Sequence, residues 1–361
     1  MGMKQLKGRK EKVSKDDKEI RKVLERCKTK IKIVGAGGAG NNTISRLMEV
    51  GIYGAETIAV NTDAQDLVFT DANKKVLIGK KLTGGLGAGA DPKIGMEAAK
   101  ESKEEIKEVL KGADMVFLTC GLGGGTGSGS LPVIAEISKK LGALTVAIVT
   151  LPFSMEGKQR MENAKFGLKN LEEFVDTLIV IPNDRLLEVV PNVSLLTAFK
   201  ICDEILVNAV KGITELVTKP GLVNLDFADV KAVMQNGGLA IIGMGESNTE
   251  NRAIEAVEKA LSNPLINLKI DGAKGALINV MGGPEITVKE AHQIVEAVSS
   301  KLSPDAKIIW GAQIYPELEN SIRTLLIVTG IETEGFYEKL LEKPKIDRRE
   351  IEKILGVEFV R

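Results

Sequence analysis

Between residues 31 and 182 short apolar runs alternate with amphipathic stretches. The runs are IKIVG (31–35), ETIAVN (56–61), DMVFLTC (114–120), LTVAIVT (144–150) and DTLIVIP (176–182). Most are rich in Val, Ile and Thr, as buried parallel strands are. Helical spacing of apolar positions predicts helices over 41–50, 92–110, 131–141 and 159–174. Strand-helix alternation of this kind predicts an α/β fold with a right-handed, doubly wound parallel sheet.

A longer helical pattern runs over 194–217, with apolar residues at Leu195, Phe199, Ile205, Leu206, Ala209, Val210, Ile213 and Leu216. Pro220 and Gly221 in KPGLVN (219–224) stop it. Beyond lie four more apolar runs, LAIIGMG (239–245), GALINVMG (275–282), KIIWGAQ (307–313) and IRTLLIVTG (322–330), with helical patterns at 252–261 and 288–300. The expected organisation is a basic arm (1–30), a nucleotide-binding domain (31–193), a connecting helix (194–220), a smaller α+β domain (221–330) and a charged tail (331–361).

The length of 361 residues agrees with two cores rather than one. Formal net charge is zero, so no global field favours nucleic acid or membrane. Residues 1–30 carry 12 Lys/Arg against 5 Asp/Glu, which reads as a solvated helix or arm, with a nucleic-acid or anionic-lipid contact as the alternative. No nucleic-acid partner is expected. No apolar run reaches the roughly 18–20 residues of a membrane span, so no direct membrane insertion is expected. Cys27, Cys120 and Cys202 are far apart and fit free thiols in a reducing cytoplasm. His292 is the single histidine and sits in an amphipathic pattern. It leaves no multi-His zinc site and disfavours a Ser-His-Asp triad; no protein metal site is predicted.

The chemistry lies in glycine-rich loops. GAGGAGNN (35–42) follows the first strand and contains Gly38, Ala39, Gly40, Asn41 and Asn42. Glycine lets a phosphate approach the backbone, and the next helix offers free N–H groups. Alone this loop suits an NAD site equally well. GLGGGTGSG (121–129) is more specific. Gly123, Gly124, Gly125, Gly127 and Gly129, with the hydroxyls of Thr126 and Ser128, can surround a phosphate chain. No GxxxxGK[ST] exists, so phosphate charge falls to amides, a metal ion and Arg160.

Other polar groups fall at strand ends: Asn61 and Asp63, the loop GGLGAGADP (84–92) with Gly87, Ala88 and Gly89, the pair Glu156 and Arg160, and Asn183. Ligands of doubly wound sheets bind at that edge. Taken singly, each reads as a cap or turn. Phe199 and Asp203 are four apart and share a helix face. The ring can stack a base, and the carboxylate can accept guanine N1–H and N2–H; core Phe and surface Asp is the alternative. NLDFAD (224–229) reads alone as a helix start with Asp226 as N-cap. It lies about 30 Å from Phe199 along the helix. Its carboxylates can reach only a nucleotide on a neighbouring subunit stacked head to tail.

With these residues in place, the chain resembles the tubulin/FtsZ superfamily, and the FtsZ family of prokaryotic division GTPases more than eukaryotic tubulin. GGGTGSG (123–129), GAGGAGNN, LPFSMEGKQR (151–160) and NLDFAD occur in that family's order, across about 31–330. Ala39 stands where many members have Gly, and the long basic arm suggests an archaeal or otherwise unusual source. The resemblance implies a polymerising GTPase, cytoplasmic and acting at the division site. It implies GTP/GDP as ligand with magnesium, and contacts from residues 38–42 and 125–127. Glu156 and Arg160 would meet the ribose, and Asn183, Phe199 and Asp203 would read guanine. Asp226 and Asp229, supported by Asn224, would be the catalytic acids delivered to the next subunit. The tail would meet membrane-tethering or division-ring proteins.

Two other classes compete. An NAD-dependent oxidoreductase would use the first loop and Asp63, 23 residues past Gly40, but leaves residues 121–129 unexplained. A non-polymerising nucleotide-binding scaffold would leave Asp226 and Asp229 as caps.

Overall fold

A computed structural model describes residues 28–185, 194–219, 221–262 and 270–331. The expected tail, the basic arm before residue 28, and Cys27 lie outside these residues.

The first half runs β1 (Ile31–Ala36), α1 (Gly37–Val50), β2 (Ala55–Asn61), α2 (Ala64–Phe69), β3 (Lys74–Leu77), α3 (Lys80–Thr83), α4 (Pro92–Glu101), α5 (Lys103–Leu110), β4 (Met115–Gly121), α6 (Gly125–Lys140), β5 (Leu144–Leu151), α7 (Lys158–Glu172) and β6 (Thr177–Pro182). The second half runs α8 (Leu195–Thr218), α9 (Phe227–Met234), β7 (Gly238–Ser247), α10 (Arg252–Leu261), β8 (Gly275–Gly282), α11 (Val288–Ser299), β9 (Lys307–Ile314) and β10 (Ile322–Thr329).

All ten strands share one sheet, ordered β3-β2-β1-β4-β5-β6-β7-β10-β8-β9. The first six pair only in parallel, as the strand-helix alternation predicts. Strand β7 continues the sheet in parallel beside β6, with Thr177 opposite Gly238. Strand β10 is antiparallel to both β7 and β8. The parallel nucleotide-binding half and the mixed α+β half are therefore joined edge to edge.

Each β1 and β4 residue chooses a face by parity. Ile31, Ile33, Met115 and Phe117 pack with Ile44 and Leu47 of α1 and with Leu206, Val210 and Ile213 of α8. Val34, Ala36, Val116, Leu118 and Cys120 pack on the other face with Ala98, Ile106, Leu131, Ile134 and Leu168. Leu277, Leu325 and Ile327 of the second half join the α8 face. The connecting helix is thus buried against both halves.

Some elements differ from the sequence pattern. Strand β3 is KKVL; its two lysines are exposed at the sheet edge, so it shows no apolar run. The helix expected over 92–110 breaks at Ser102, whose buried hydroxyl accepts from the Gly79 N–H at 3.1 Å. Helices α1 and α6 start four and six residues earlier than apolar spacing suggests, inside the glycine loops. Glycine's poor helix propensity hides those first turns. Helix α9 is a further element that the pattern showed only as a cap.

Candidate functional site

Strands β1, β2, β4, β5 and β6 run the same way, so the loops after them meet at one edge. Two helices begin there without side-chain caps. Ala36 and Gly124 occupy the N-cap positions of α1 and α6, and neither helix has an acidic residue in its first turn. Each therefore presents unpaired N–H groups and a positive dipole end toward the same space.

The glycines of that edge divide into two kinds. Some are required by the protein itself. A Cβ on Gly129 would lie 1.9 Å from the Pro92 carbonyl oxygen, and one on Gly125 would lie 2.8 Å from the Asp91 nitrogen. These two let α4 cross close over α6. Gly40 would meet the Thr119 carbonyl oxygen at 2.7 Å and Gly127 the Cys120 Cβ at 3.1 Å. Gly123 has φ +107°, a backbone that L side chains rarely adopt. Gly124 is different. Its φ is −82°, and a Cβ there would meet no protein atom within 4 Å. Gly38 is similar, with only Asp66 Oδ2 at 3.9 Å. At these two positions the open surface faces outward, as a phosphate cradle requires.

The loops are stitched together by side chains. Asp66 Oδ2 accepts from Asn41 Nδ2 at 3.1 Å and from Asn61 Nδ2 at 2.6 Å. The hydroxyls of Thr62 and Thr126 are 2.6 Å apart, joining the second-strand loop to the glycine run. The Gly87 N–H donates to the Thr62 carbonyl, which places Gly87, buried Ala88 and exposed Gly89 beside them. Ser128 is buried and accepts from the Gly123 N–H at 2.8 Å, so its hydroxyl shapes the loop from inside. Asp63 caps α2, accepting from Gln65 and Asp66 N–H groups. An NAD site would need that carboxylate free for a ribose.

At the other side of the edge, Phe199 is 41% exposed and stands edge-on to buried Phe153, with centroids 5.4 Å apart. Its outer face is open. One turn on, Asp203 Oδ1 accepts from Thr43 Oγ1 at 3.5 Å. Burial pushes the Asp203 carboxyl up to about 6, against the lowering effects of the Thr43 hydroxyl and the Arg46 guanidinium. Asn183 is buried, and its Oδ1, like Asn41 Oδ1, has no hydrogen-bond partner in the protein. Unpaired buried acceptors of this kind suit a ligand carrying N–H or O–H groups. Arg160 pairs with Glu156 at 2.8 Å, so its charge is partly met within the protein. Exposed Asn42 sits beside Asn41 on α1.

Asn224, Asp226 and Asp229 lie elsewhere. Helix α8 has 24 residues from Leu195 to Thr218, a span of about 36 Å at 1.5 Å per residue. Phe199 and Asp203 are near its start, and NLDFAD follows its end. Asp226 is the N-cap of α9, and it exchanges hydrogen bonds with Asp229. Both carboxylates still reach the surface, Asp226 exposed and Asp229 half-exposed. The cap reading and the catalytic reading are therefore compatible.

Among the described residues no cluster of three or more His, Cys, Asp or Glu side chains is placed to hold a metal ion. Asp66, Thr43, Asn163 and Phe153 belong to this edge without being candidate site residues in the sequence pattern. Asn163 is the clearest case, donating to the carbonyls of Ala90 and Gly123 at 2.8 and 3.2 Å. Mid-helix in QRMENAKF it gives no local signal; only burial of an Asn reveals it.

Comparison with known proteins agrees with this geometry. The tubulin/FtsZ family GTPase-domain model matches residues 30–191, and the FtsZ family C-terminal-domain model matches residues 238–332. Cell division protein FtsZ 1 of Methanocaldococcus jannaschii is 61% identical over 343 residues, covering 95% of this chain and 94% of that one. Cell division protein FtsZ 1 of Thermococcus kodakarensis is 62% identical over 315 residues, covering 87% and 84%. The solved empty FtsZ dimer of M. jannaschii superposes with a TM-score of 0.85 at 61% identity, over 93% of this chain and 99% of that one. CetZ2 of Haloferax volcanii, solved as a GTPgS-bound protofilament, shares the fold at 22% identity and a TM-score of 0.73, over 91% and 100%.

Proposed function

The chain belongs to the tubulin/FtsZ family, as a filament-forming cell-division GTPase of the FtsZ type, and on that premise we propose that each GTP is hydrolysed at the junction of two copies. The observation that carries this is the separation along α8. Asp226 and Asp229 sit beyond one end of a helix about 36 Å long, and the Phe199–Asp203 pair sits near the other. No carboxylate at that distance reaches a nucleotide on its own chain.

Binding is assigned as follows. The open amides at Gly38–Gly40 and Gly124–Gly127, with the Thr126 hydroxyl, surround the phosphates. Glu156 and Arg160 flank the ribose. Phe199 stacks the base while Asn183 and Asp203 accept its N–H groups. The residues present fit such a ligand, because Gly124 leaves a Cβ-sized space and two buried Asn oxygens lack partners. Magnesium would supply charge neutralisation between phosphate oxygens. It typically keeps several waters and takes one or two protein ligands.

Phosphoryl transfer needs positioning and charge stabilisation more than covalent help. Asp226 and Asp229 orient and polarise water against the phosphate held by the neighbouring copy, and Asn224 holds the loop by accepting from the Gly221 N–H. A head-to-tail contact of this kind does not close, so it propagates as a filament. We assign 31–193 to nucleotide binding and 221–330 to activation, with cytoplasmic action at the division site and tether proteins on the tail. No helix of the described residues is long and apolar enough to cross a membrane.

Turnover per subunit measured across a dilution series tests the reading. It is expected to fall toward zero below the concentration at which GTP yields pelletable polymer. A rate per subunit that stays constant on dilution sinks it.

A further inference from the structure

A buried polar cluster ties the far end of α8 to strand β9. The Tyr315 hydroxyl donates to Glu215 Oε2 at 3.0 Å and lies 3.3 Å from Gln313 Oε1. Gln313 Nε2 donates to the backbone carbonyl of Glu215 at 3.1 Å, and Asn279 Nδ2 donates to Gln313 Oε1 at 3.1 Å. Lys219 pairs with Glu215 at 2.8 Å and stands over the Tyr315 ring. The Glu215 side chain is only 8% exposed. None of these residues approaches the nucleotide edge.

The loop bearing the acids is laid on the same strand. The N–H groups of Leu222 and Val223 donate to the Ala312 carbonyl, and the Ala312 N–H donates to the Val223 carbonyl. A Cβ on Gly311 would lie 3.1 Å from Leu225 Cγ and 3.4 Å from Leu216 Cδ2, so these side chains close over the bare glycine. Strand β9 is the last of the sheet, and this loop covers its open edge.

Apolar packing alone lets a helix shift along its axis at small cost. Directional bonds do not, because a shift breaks the Tyr315 hydroxyl's bond to Glu215 and Gln313's bond to the Glu215 carbonyl, leaving largely buried polar groups unsatisfied. We propose that Glu215 and Tyr315 are positioning residues for hydrolysis. They lock the end of α8 against β9, so that Asn224, Asp226 and Asp229 meet the next copy's GTP at a fixed height. The proposal rests on the reading that those acids act on a neighbour.

The test compares GTP affinity, pelleted polymer and kcat of fully assembled polymer for Tyr315→Phe, Glu215→Leu and Glu215→Gln. Tyr315→Phe removes one hydroxyl. Glu215→Leu removes the carboxylate and its acceptor oxygens, and Lys219, whose side chain is 35% exposed, turns to solvent. Both are expected to bind GTP and pellet within twofold of the parent, with kcat lowered about tenfold, inside the ~100-fold that a 1 Å misplacement costs. Glu215→Gln keeps an acceptor for the hydroxyl and should stay within about threefold of the parent. The proposal is overturned if Tyr315→Phe and Glu215→Leu keep parental kcat. It is equally overturned if Glu215→Gln falls as far as Glu215→Leu, or if GTP binding and kcat fall together. Asp229→Ala run alongside separates the two levels: parental turnover there defeats the shared-site reading itself.

Discussion

Asp226 and Asp229 hold each other's backbone: Asp226 Oδ1 accepts from the Asp229 N–H at 2.8 Å, and Asp229 Oδ2 accepts from the Asp226 N–H at 3.2 Å. The two acids therefore start a helix, and on the proposed reading they also act on a neighbour. Their substitutions should separate. Asp226→Ala removes the N-cap and should cost about 1 kcal/mol of stability as well as turnover. Asp229→Ala leaves the Asp226 cap bond in place. It loses only the reciprocal bond to the Asp226 N–H, so it should keep GTP binding and lower Tm less than Asp226→Ala does, while lowering kcat by about 100-fold. Thermal unfolding read beside single-turnover hydrolysis checks this; equal Tm losses for both variants would contradict it.

The glycine run should also divide under substitution. Gly124→Ala meets no protein atom and needs no unusual φ. It should fold with unchanged Tm and bind GTP at least about tenfold more weakly, one such step being about 1.4 kcal/mol. Gly129→Ala must instead push the Pro92 carbonyl aside. Overpacking of this kind costs about 1–3 kcal/mol and should appear as lost stability. Calorimetric binding together with thermal melts distinguishes the two outcomes, and a Gly124→Ala protein with parental affinity removes Gly124 from the cradle.

Asp203 predicts a pH dependence. Its folded carboxyl lies near 6 because of burial, above the ordinary 3.8. Raised in the fold, it favours the protonated form, so its contribution to stability is present below about 4. That contribution is lost as pH rises toward 6 and is constant above. On the proposed reading, guanine recognition needs the ionised form. Apparent affinity scales with the competent fraction, so GTP should bind about tenfold more weakly at pH 5 than at pH 7. GTP phosphates titrate too; the ratio of parent to Asp203→Asn affinities isolates the carboxyl. A ratio that does not change with pH contradicts the assignment.

Two exposed apolar side chains flank α2, which starts at the nucleotide edge, and predict a contact between copies there. Phe69 is 82% exposed and Leu86 is 87% exposed. Phe69 ends α2, and Leu86 bridges to Asp63, the N-cap at the opposite end of that helix. Phe69→Glu should leave GTP binding unchanged and raise the protein concentration needed for pelleting by about tenfold, as loss of an interface anchor does. Sedimentation at a series of concentrations reads this directly, and an unshifted threshold removes Phe69 from the contact.

Much of this was legible in the chain. Runs such as LTVAIVT are apolar at nearly every position, and burial on both faces of a parallel sheet demands that. The joint position of the strand-end loops follows from parallel topology alone. The spacing along α8 likewise separates Phe199 from Asp226 before any coordinates are known, because helix rise is a constant. Gly-rich first turns and the lysine-bearing edge strand β3 were not legible, since local propensity there is overridden by packing or by solvent.

What the sequence by itself determined is most of the strands and the long helices, the sheet edge on which the glycine loops fall, and the distance from that edge to NLDFAD. These depend on periodicities and lengths that each segment carries alone. The tertiary structure decided the rest. It showed that Gly129 serves a helix crossing and Gly124 an open surface, that Asp66 and Asn163 bind the loops together, and that Glu215 meets Tyr315 from 100 positions away. Such pairings depend on which segments the fold brings within hydrogen-bond reach, and no local pattern encodes that.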